Sequence, residues 1–314
     1  MPIANRQSTI NKPRALTAGS TIRIVSPASA ILPEKTELAA KLLEDAGYRV
    51  EVADHAFDKD HFLAGNDQVR AADLQSAFAD PAVDAVYCSR GGYGCARLLP
   101  YLDLDRMAAA GKLFLGFSDI TTLHLALNRR GLPTVHSPMA YTFSTPREAW
   151  VNASFLGVLR GETDIPEGAP RGQTIIGGIA EGIVTGGCLC LITDAVGTAD
   201  AMDAEGKIVL IEDVDEDPHR IDAMLTHLLL IGALEKCAGI VIGEMTRSDE
   251  AKDESIGGKP WLDIVLERLE PIGKPMIVGY PFGHMKQMLS LPLGIMARLD
   301  ADAGTLDYLE PLCS

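Results

Sequence analysis

Nothing in this chain approaches the ~20 consecutive apolar residues that a membrane-spanning helix needs. Basic charge is also scarce. The chain carries 28 Lys and Arg against 43 Asp and Glu, a formal net charge of −15. That balance argues against nucleic acid or an anionic membrane surface as a partner. It fits a soluble protein acting on a small or cationic substrate. Metal-ligand spacing is missing too. The six cysteines, at 88, 95, 188, 190, 237 and 313, show no paired pattern, and Cys188-x-Cys190 is tighter than the usual zinc arrangement. They read as reduced thiols, several in apolar segments, which points to a cytoplasmic protein. Residues 1–20 are polar with no apolar core, so no signal peptide is expected. The chain has no internal repeat and no low-complexity tract. It also has neither a Walker loop nor a dinucleotide glycine fingerprint. No metal and no cofactor is expected.

Against these absences stand 314 residues of which 47% are hydrophobic, enough to build a full core as one large domain or two ordinary ones. Strand-like and helix-like patterns alternate through the first half. Residues 21–26, 48–52, 83–88, 113–117 and 134–136 read as strands. Residues 34–46, 67–80 and 119–127 read as helices, and 95–99 as a shorter one. Such alternation predicts right-handed crossovers and a parallel, doubly wound α/β sheet. Residues up to about 18 read as a loose arm. The stretch 150–172, with its Pro, Gly and charge, reads as a linker. The second half predicts a smaller mixed α/β domain. Its strands fall at 207–212, 239–243 and 275–280, its helices at 187–196, 220–234 and 261–269. A hairpin at 295–310 ends the chain. The expected division is 1–150, a linker 151–174, and 175–314.

The stretch 112–127 organises this reading. Leu113 to Phe117 is a short apolar run, Ser118 stands at a corner, and Ile120, Leu123, Ala126 and Leu127 follow at helical spacing. A hydroxyl on such a corner can be a nucleophile, with helix NH groups pointing back at it. Ser118 can equally be a helix cap. Arg90-Gly-Gly-Tyr-Gly94 follows a strand, and its glycines could converge NH groups on an anion or oxyanion, or merely allow a tight turn. Glu212 ends an apolar strand, where an acid must be paired or solvated. Asp215, Asp217 and His219 have ligand chemistry, but clustered loop acids are more often solvated. Of the seven histidines, His284 stands out because it follows Pro281-Phe-Gly at a strand end, with His136 as a second candidate. Ser118, Glu212 and His284, in that order, are a possible Ser–Glu–His triad.

Several segments together resemble one family. They are residues 64–74, Arg90 to Pro100, Gly116-Phe-Ser-Asp119, Ile211-Glu-Asp-Val214 with Arg220-Ile-Asp222, and Phe282-Gly-His284 with Leu291-Pro-Leu-Gly294. In this order and spacing they are similar to the LD-carboxypeptidases. These are serine peptidases of murein recycling, with relatives that give immunity to a peptide-nucleotide antibiotic. The resemblance implies a flavodoxin-like N-terminal domain, a smaller C-terminal domain and a homodimer. It implies Ser118 as nucleophile, Glu212 as acid and His284 as base, with the backbone NH groups of Gly92 and Asp119 as oxyanion donors. A carboxypeptidase must also bind a free carboxylate, for which Arg90 and Arg220 are candidates, although each could be a structural ion pair, and Tyr93 is a further candidate for substrate binding. The implied substrate is a small peptide, a murein tetrapeptide losing its terminal D-alanine. The alternatives are a microcin-immunity-type amidase and, from another class, a non-catalytic small-ligand binding protein. Two departures concern the substrate pocket. Gly186-Gly-Cys-Leu-Cys190 stands where Gly-Gly-Asn-Leu-Ser is expected, and His136-Ser-Pro138 where His-Gly-Pro is expected.

Overall fold

A computed structural model describes residues 10–251, 255 and 258–314. The apolar runs of the first half become five parallel strands: β1 (Thr21–Val25), β2 (Arg49–Val52), β3 (Ala85–Cys88), β4 (Leu113–Gly116) and β5 (Thr134–His136). They lie in the order 2-1-3-4-5, the flavodoxin-like arrangement of a doubly wound sheet. β3 and β4 are buried along their whole length, as strands covered on both faces must be.

The second sheet is mixed. It contains β6 (Gln173–Ile176), β7 (Ile179–Cys188), β8 (Ile208–Val214), β9 (Gly239–Thr246) and β10 (Met276–Val278). After these the chain crosses back. β11 (Leu291–Leu293) pairs antiparallel with β5 at the edge of the first sheet, before β12 (Met296–Asp300) and β13 (Thr305–Tyr308) return to the second. The second sheet runs β13-β12-β7-β8-β9-β10-β6, with β7 through β10 mutually parallel. One apolar cluster contains Ile24, Tyr87 and Leu115 from the first sheet together with Val184, Leu210 and Val241 from the second. The terminal hairpin expected at 295–310 is β12 paired with β13. Among the described residues no helix is long and apolar enough to cross a membrane.

Three local expectations are corrected. The stretch expected as a linker begins with a helix, Ala149–Leu159, whose Val151, Phe155 and Val158 are buried. Those residues recur at helical spacing, and the Pro- and Gly-rich character starts only after them. The expected helix from Gly187 is shorter, because β7 continues through Cys188 and the helix covers only Leu189–Asp194. Of the expected loose arm, residues 1–9 lie outside the described residues, but the part from Asn11 is anchored. Asn11 donates to the Ala108 carbonyl at 2.9 Å, Lys12 pairs with Glu310 at 2.8 Å, and Leu16 is buried.

Candidate active site

β4 ends at Gly116, and the chain turns through Ser118 into the helix Thr121–Asn128. Ser118 has φ +64°, the left-handed region that a side chain rarely occupies. Holding it there costs on the order of 1–3 kcal/mol, a strain that lifts the hydroxyl out of the sheet edge. The neighbouring loop must come close, and Gly91 permits it. A Cβ on Gly91 would lie 2.9 Å from the Ser118 Cβ and 3.2 Å from the Asp119 nitrogen. The buried Asp119 carboxylate accepts from the Cys95 NH at 2.8 Å, fastening the Gly91–Cys95 loop to the turn. His124, one helical turn on, lies within hydrogen-bond distance of the Gly116 carbonyl (2.8 Å) and the Thr134 hydroxyl (2.9 Å). Burial lowers its pKa to about 3, so it braces the strand end as a neutral ring.

The second sheet supplies the groups that face Ser118. β8 is buried along its apolar run and carries the Glu212 carboxylate to a fully buried position. His284 follows the bend after β10. Its Nδ1 lies 2.7 Å from Glu212 Oε2, its backbone NH donates to the same oxygen at 3.1 Å, and its Nε2 lies 3.0 Å from Ser118 Oγ. Gly283 makes this approach possible. Its φ is +84°, and a Cβ there would fall 2.3 Å from Glu212 Oε2. The Phe117 ring packs 4.9 Å from the imidazole, centroid to centroid.

Electrostatics here is a contest between burial and charge. Burial pushes the Glu212 pKa up, but His284 and then His136 outweigh it and hold the group at about 2. Burial pushes His284 down, and the charge and hydrogen bond of Glu212 more than reverse this, so its pKa stands above the usual histidine value. An ionised Glu212 fixes the proton of a neutral ring on Nδ1. Nε2 is then left as an acceptor facing the serine hydroxyl, the arrangement in which an imidazole can take a hydroxyl proton.

The LD-carboxypeptidase N-terminal domain matches residues 22–137 and the C-terminal domain matches residues 181–299. The chain belongs to the LD-carboxypeptidase family. It is 33% identical over 296 residues to the murein tetrapeptide carboxypeptidase of Pseudomonas aeruginosa, covering 90% of this chain and 93% of that protein. The muramoyltetrapeptide carboxypeptidase structure from Oxalobacter formigenes is similar with TM-score 0.79 and 28% identity, over 91% of this chain and 97% of that one. A MccF-like protein structure from Bacillus anthracis is similar with TM-score 0.82 and 26% identity, over 94% and 97% of the two chains.

The other residues singled out in this LD-carboxypeptidase family member occupy different settings. Arg90 donates to the Ala30 carbonyl at 3.1 Å and lies over the Tyr141 ring at 5.1 Å, with its Nε buried and unpartnered. Tyr93 is exposed and meets Phe62 edge-on. Arg220 is exposed and pairs with Glu216 at 3.8 Å. Asp215 pairs with Arg247, and no convergence of Asp215, Asp217 and His219 on one point occurs among the described residues. His136, the second histidine candidate, is fully buried with its Nε2 3.8 Å from Glu212 Oε1. Both its ring nitrogens and that oxygen lack a hydrogen-bond partner.

Arg70 was not singled out by sequence reasoning. It is buried on the inner face of the helix Asp67–Ala79 and donates to the carbonyls of Pro27, Gly65 and Gly94. It thereby ties the Gly-rich loop to the end of β1. The available signal was an Arg at an apolar-face position of a helix, three residues after Asp67, with which it pairs.

Proposed function

We propose that this protein is a serine carboxypeptidase of the LD type that removes the terminal D-alanine of a murein tetrapeptide during peptidoglycan recycling. The observation that carries the reading is the contact chain from Ser118 Oγ to His284 Nε2 and from His284 Nδ1 to Glu212 Oε2. In this reading Ser118 attacks the scissile carbonyl while His284 takes its proton and later gives it to the leaving amine. Glu212 keeps the ring in the productive tautomer and stabilises the imidazolium. The backbone NH groups of Gly92 and Asp119 would hold the oxyanion. Arg90 and Tyr93, on the loop beside the serine, and Arg220, at the start of its helix, are the proposed substrate contacts. The reading also divides the chain into a nucleophile-bearing part, 1–150, and a part supplying acid and base, 175–314. Neither part would be active alone.

The likeness to the MccF-like structure supports a second reading, an amidase acting on a peptide-nucleotide antibiotic. Purified enzyme is to be assayed against murein tetrapeptide, its C-terminal amide, and aminoacyl-nucleotide analogues. Preferred cleavage of the free-acid tetrapeptide supports the first reading. Cleavage of the nucleotide conjugates alone transfers the function to the second. A serine-directed fluorophosphonate probe that fails to label Ser118 would point instead to a binding protein.

A further inference from the structure

The two cysteines that depart from the expected family pattern lie beside Asp213. The strand β7 ends at Cys188, and the bend into the helix Leu189–Asp194 turns both sulfurs the same way. Cys188 Sγ and Cys190 Sγ are 3.4 Å apart, and Cys188 Sγ is 3.4 Å from Asp213 Oδ1. One donor atom from each of the three residues lies within 4.8 Å of the others. Zinc bound tetrahedrally, with bonds of about 2.3 Å to sulfur and 2.0 Å to oxygen, holds such donors roughly 3.5–3.8 Å apart. Two of the three spacings are therefore close to those of a metal site before any metal enters, and the third lies within 4.8 Å.

We propose that Cys188, Cys190 and Asp213 form a binding site for a single thiophilic divalent cation, with zinc as its simplest occupant, separate from the Ser118–His284–Glu212 contacts. The donor set is soft on two sides and hard on the third, which suits zinc over magnesium or calcium. The carboxylate is already oriented: Asp213 Oδ2 accepts from the Cys190 NH at 2.7 Å and Oδ1 from the Val214 NH at 2.8 Å. Such outer hydrogen bonds hold a ligand in place. Cys188 and Asp213 are buried while Cys190 is half-buried, so a cation would reach the site from the Cys190 side and take its fourth ligand from water. Each thiol loses its proton as its sulfur–metal bond forms, so two protons leave for each cation bound. A Cys-x-Cys spacing alone is too short to suggest this site. The third ligand comes from the neighbouring strand β8, whose Glu212 is the register partner of Cys188.

The test uses the full-length, reduced, metal-free protein. Zinc is titrated in competition with a chromophoric chelator, and cobalt(II) serves as a spectroscopic probe. One equivalent of zinc should bind with submicromolar affinity. Cobalt should give thiolate-to-metal charge-transfer absorption and the intense visible bands of tetrahedral coordination. The variant C188N/C190S carries the residues expected from the family resemblance at both positions, so it should fold. It should bind zinc at least about 100-fold more weakly and lose the charge-transfer band. If its circular dichroism shows it unfolded, C190S, altered at the half-buried position, carries the test with the same expected loss of the band. Zinc affinity unchanged in the variants, or a cobalt complex without thiolate absorption, overturns the proposal. The inference is independent of the proposed hydrolysis, because binding and spectra are read without substrate.

Discussion

The two sheets contribute to the candidate site by different physics. On the first, at the end of β4, the work is done by the backbone. Ser118 sits at φ +64°, and Gly91 lets the next loop close over it. On the second, at the end of β8, the work is done by charge. Glu212 is fully buried and held ionised by His284, and the backbone there stays in the strand, with a register shift against β9 between Ile211 and Asp213. A strained turn is rigid and tolerates little change in shape. A buried carboxylate held by a histidine tolerates changes of shape poorly too, but the contact fails mainly through loss of charge. The difference can be tested by variants that alter chemistry at constant shape on each side.

The largest effect is expected on the backbone side. Ser118→Ala removes one oxygen and leaves the turn its left-handed residue. On the proposed mechanism, turnover should fall at least on the order of 10⁴-fold. The melting temperature should stay within a few degrees of the wild type, since the hydroxyl holds no part of the core. Near-normal turnover in this variant would remove Ser118 from the chemistry.

On the charge side, Glu212→Gln keeps the volume and removes the charge. Turnover should fall about 10³-fold or more, as when a triad acid is made neutral. The pH profile gives a sharper readout. In the proposed mechanism His284 must be neutral to act as base, and its pKa is raised, so wild-type activity should be lost as pH falls through a value above the ordinary histidine pKa. Without the Glu212 charge that pKa drops, and the acid limb of the residual activity should move to lower pH. An acid limb that stays in place would show that Glu212 does not govern His284.

An intermediate effect is expected where shape and charge meet. Gly283→Ala places a methyl 2.3 Å from Glu212 Oε2, so the acid or the histidine loop must shift. A displacement on the order of 1 Å can cost about 10²-fold in rate. The variant should lose turnover by that factor and melt at a lower temperature. Unchanged kinetics would mean that the loop relaxes without disturbing the Glu212–His284 contact.

How much of this was legible in the sequence follows from the range of the forces involved. The doubly wound first sheet could be read because its strands and helices announce themselves locally, by apolar runs and by spacing such as Ile120, Leu123 and Leu127. The left-handed turn at Ser118 left a trace in the abrupt change from strand to helix pattern. Contacts made across long stretches of chain left none. Nothing local to residues 291–293 says that they edge the first sheet beside β5. Nothing near Asn11 says that it will be held by Ala108. The helix Ala149–Leu159 was hidden by the polar, proline-bearing residues that follow it. The proximity of Cys188, Cys190 and Asp213 depends on two strands lying side by side, which a two-residue spacing does not reveal.

The smallest expected effect concerns His136, on the boundary between the two regimes. It ends β5 on the backbone side, yet its Nε2 faces Glu212 Oε1 at 3.8 Å on the charge side. The ring is fully buried between Phe117 and Phe282, with centroids 5.5 Å and 5.6 Å away. A buried imidazole and a buried carboxylate oxygen, each without a hydrogen-bond partner, are costly apart. A shift of under about 1 Å would join them in a hydrogen bond. That bond would fix the rotation of the carboxylate and so the aim of its other oxygen at His284. His136→Phe fills the space but gives Glu212 Oε1 nothing to bond. It should lower kcat about tenfold with little change in KM, as expected for a group acting through another. It should also lower the His284 pKa less than Glu212→Gln does, because the charge on the acid remains. His136→Gln, which keeps a donor, should recover part of the lost rate. Equal rates in Phe and Gln variants, both at the wild-type level, would reduce His136 to a packing residue and leave His284 as the working partner of the acid.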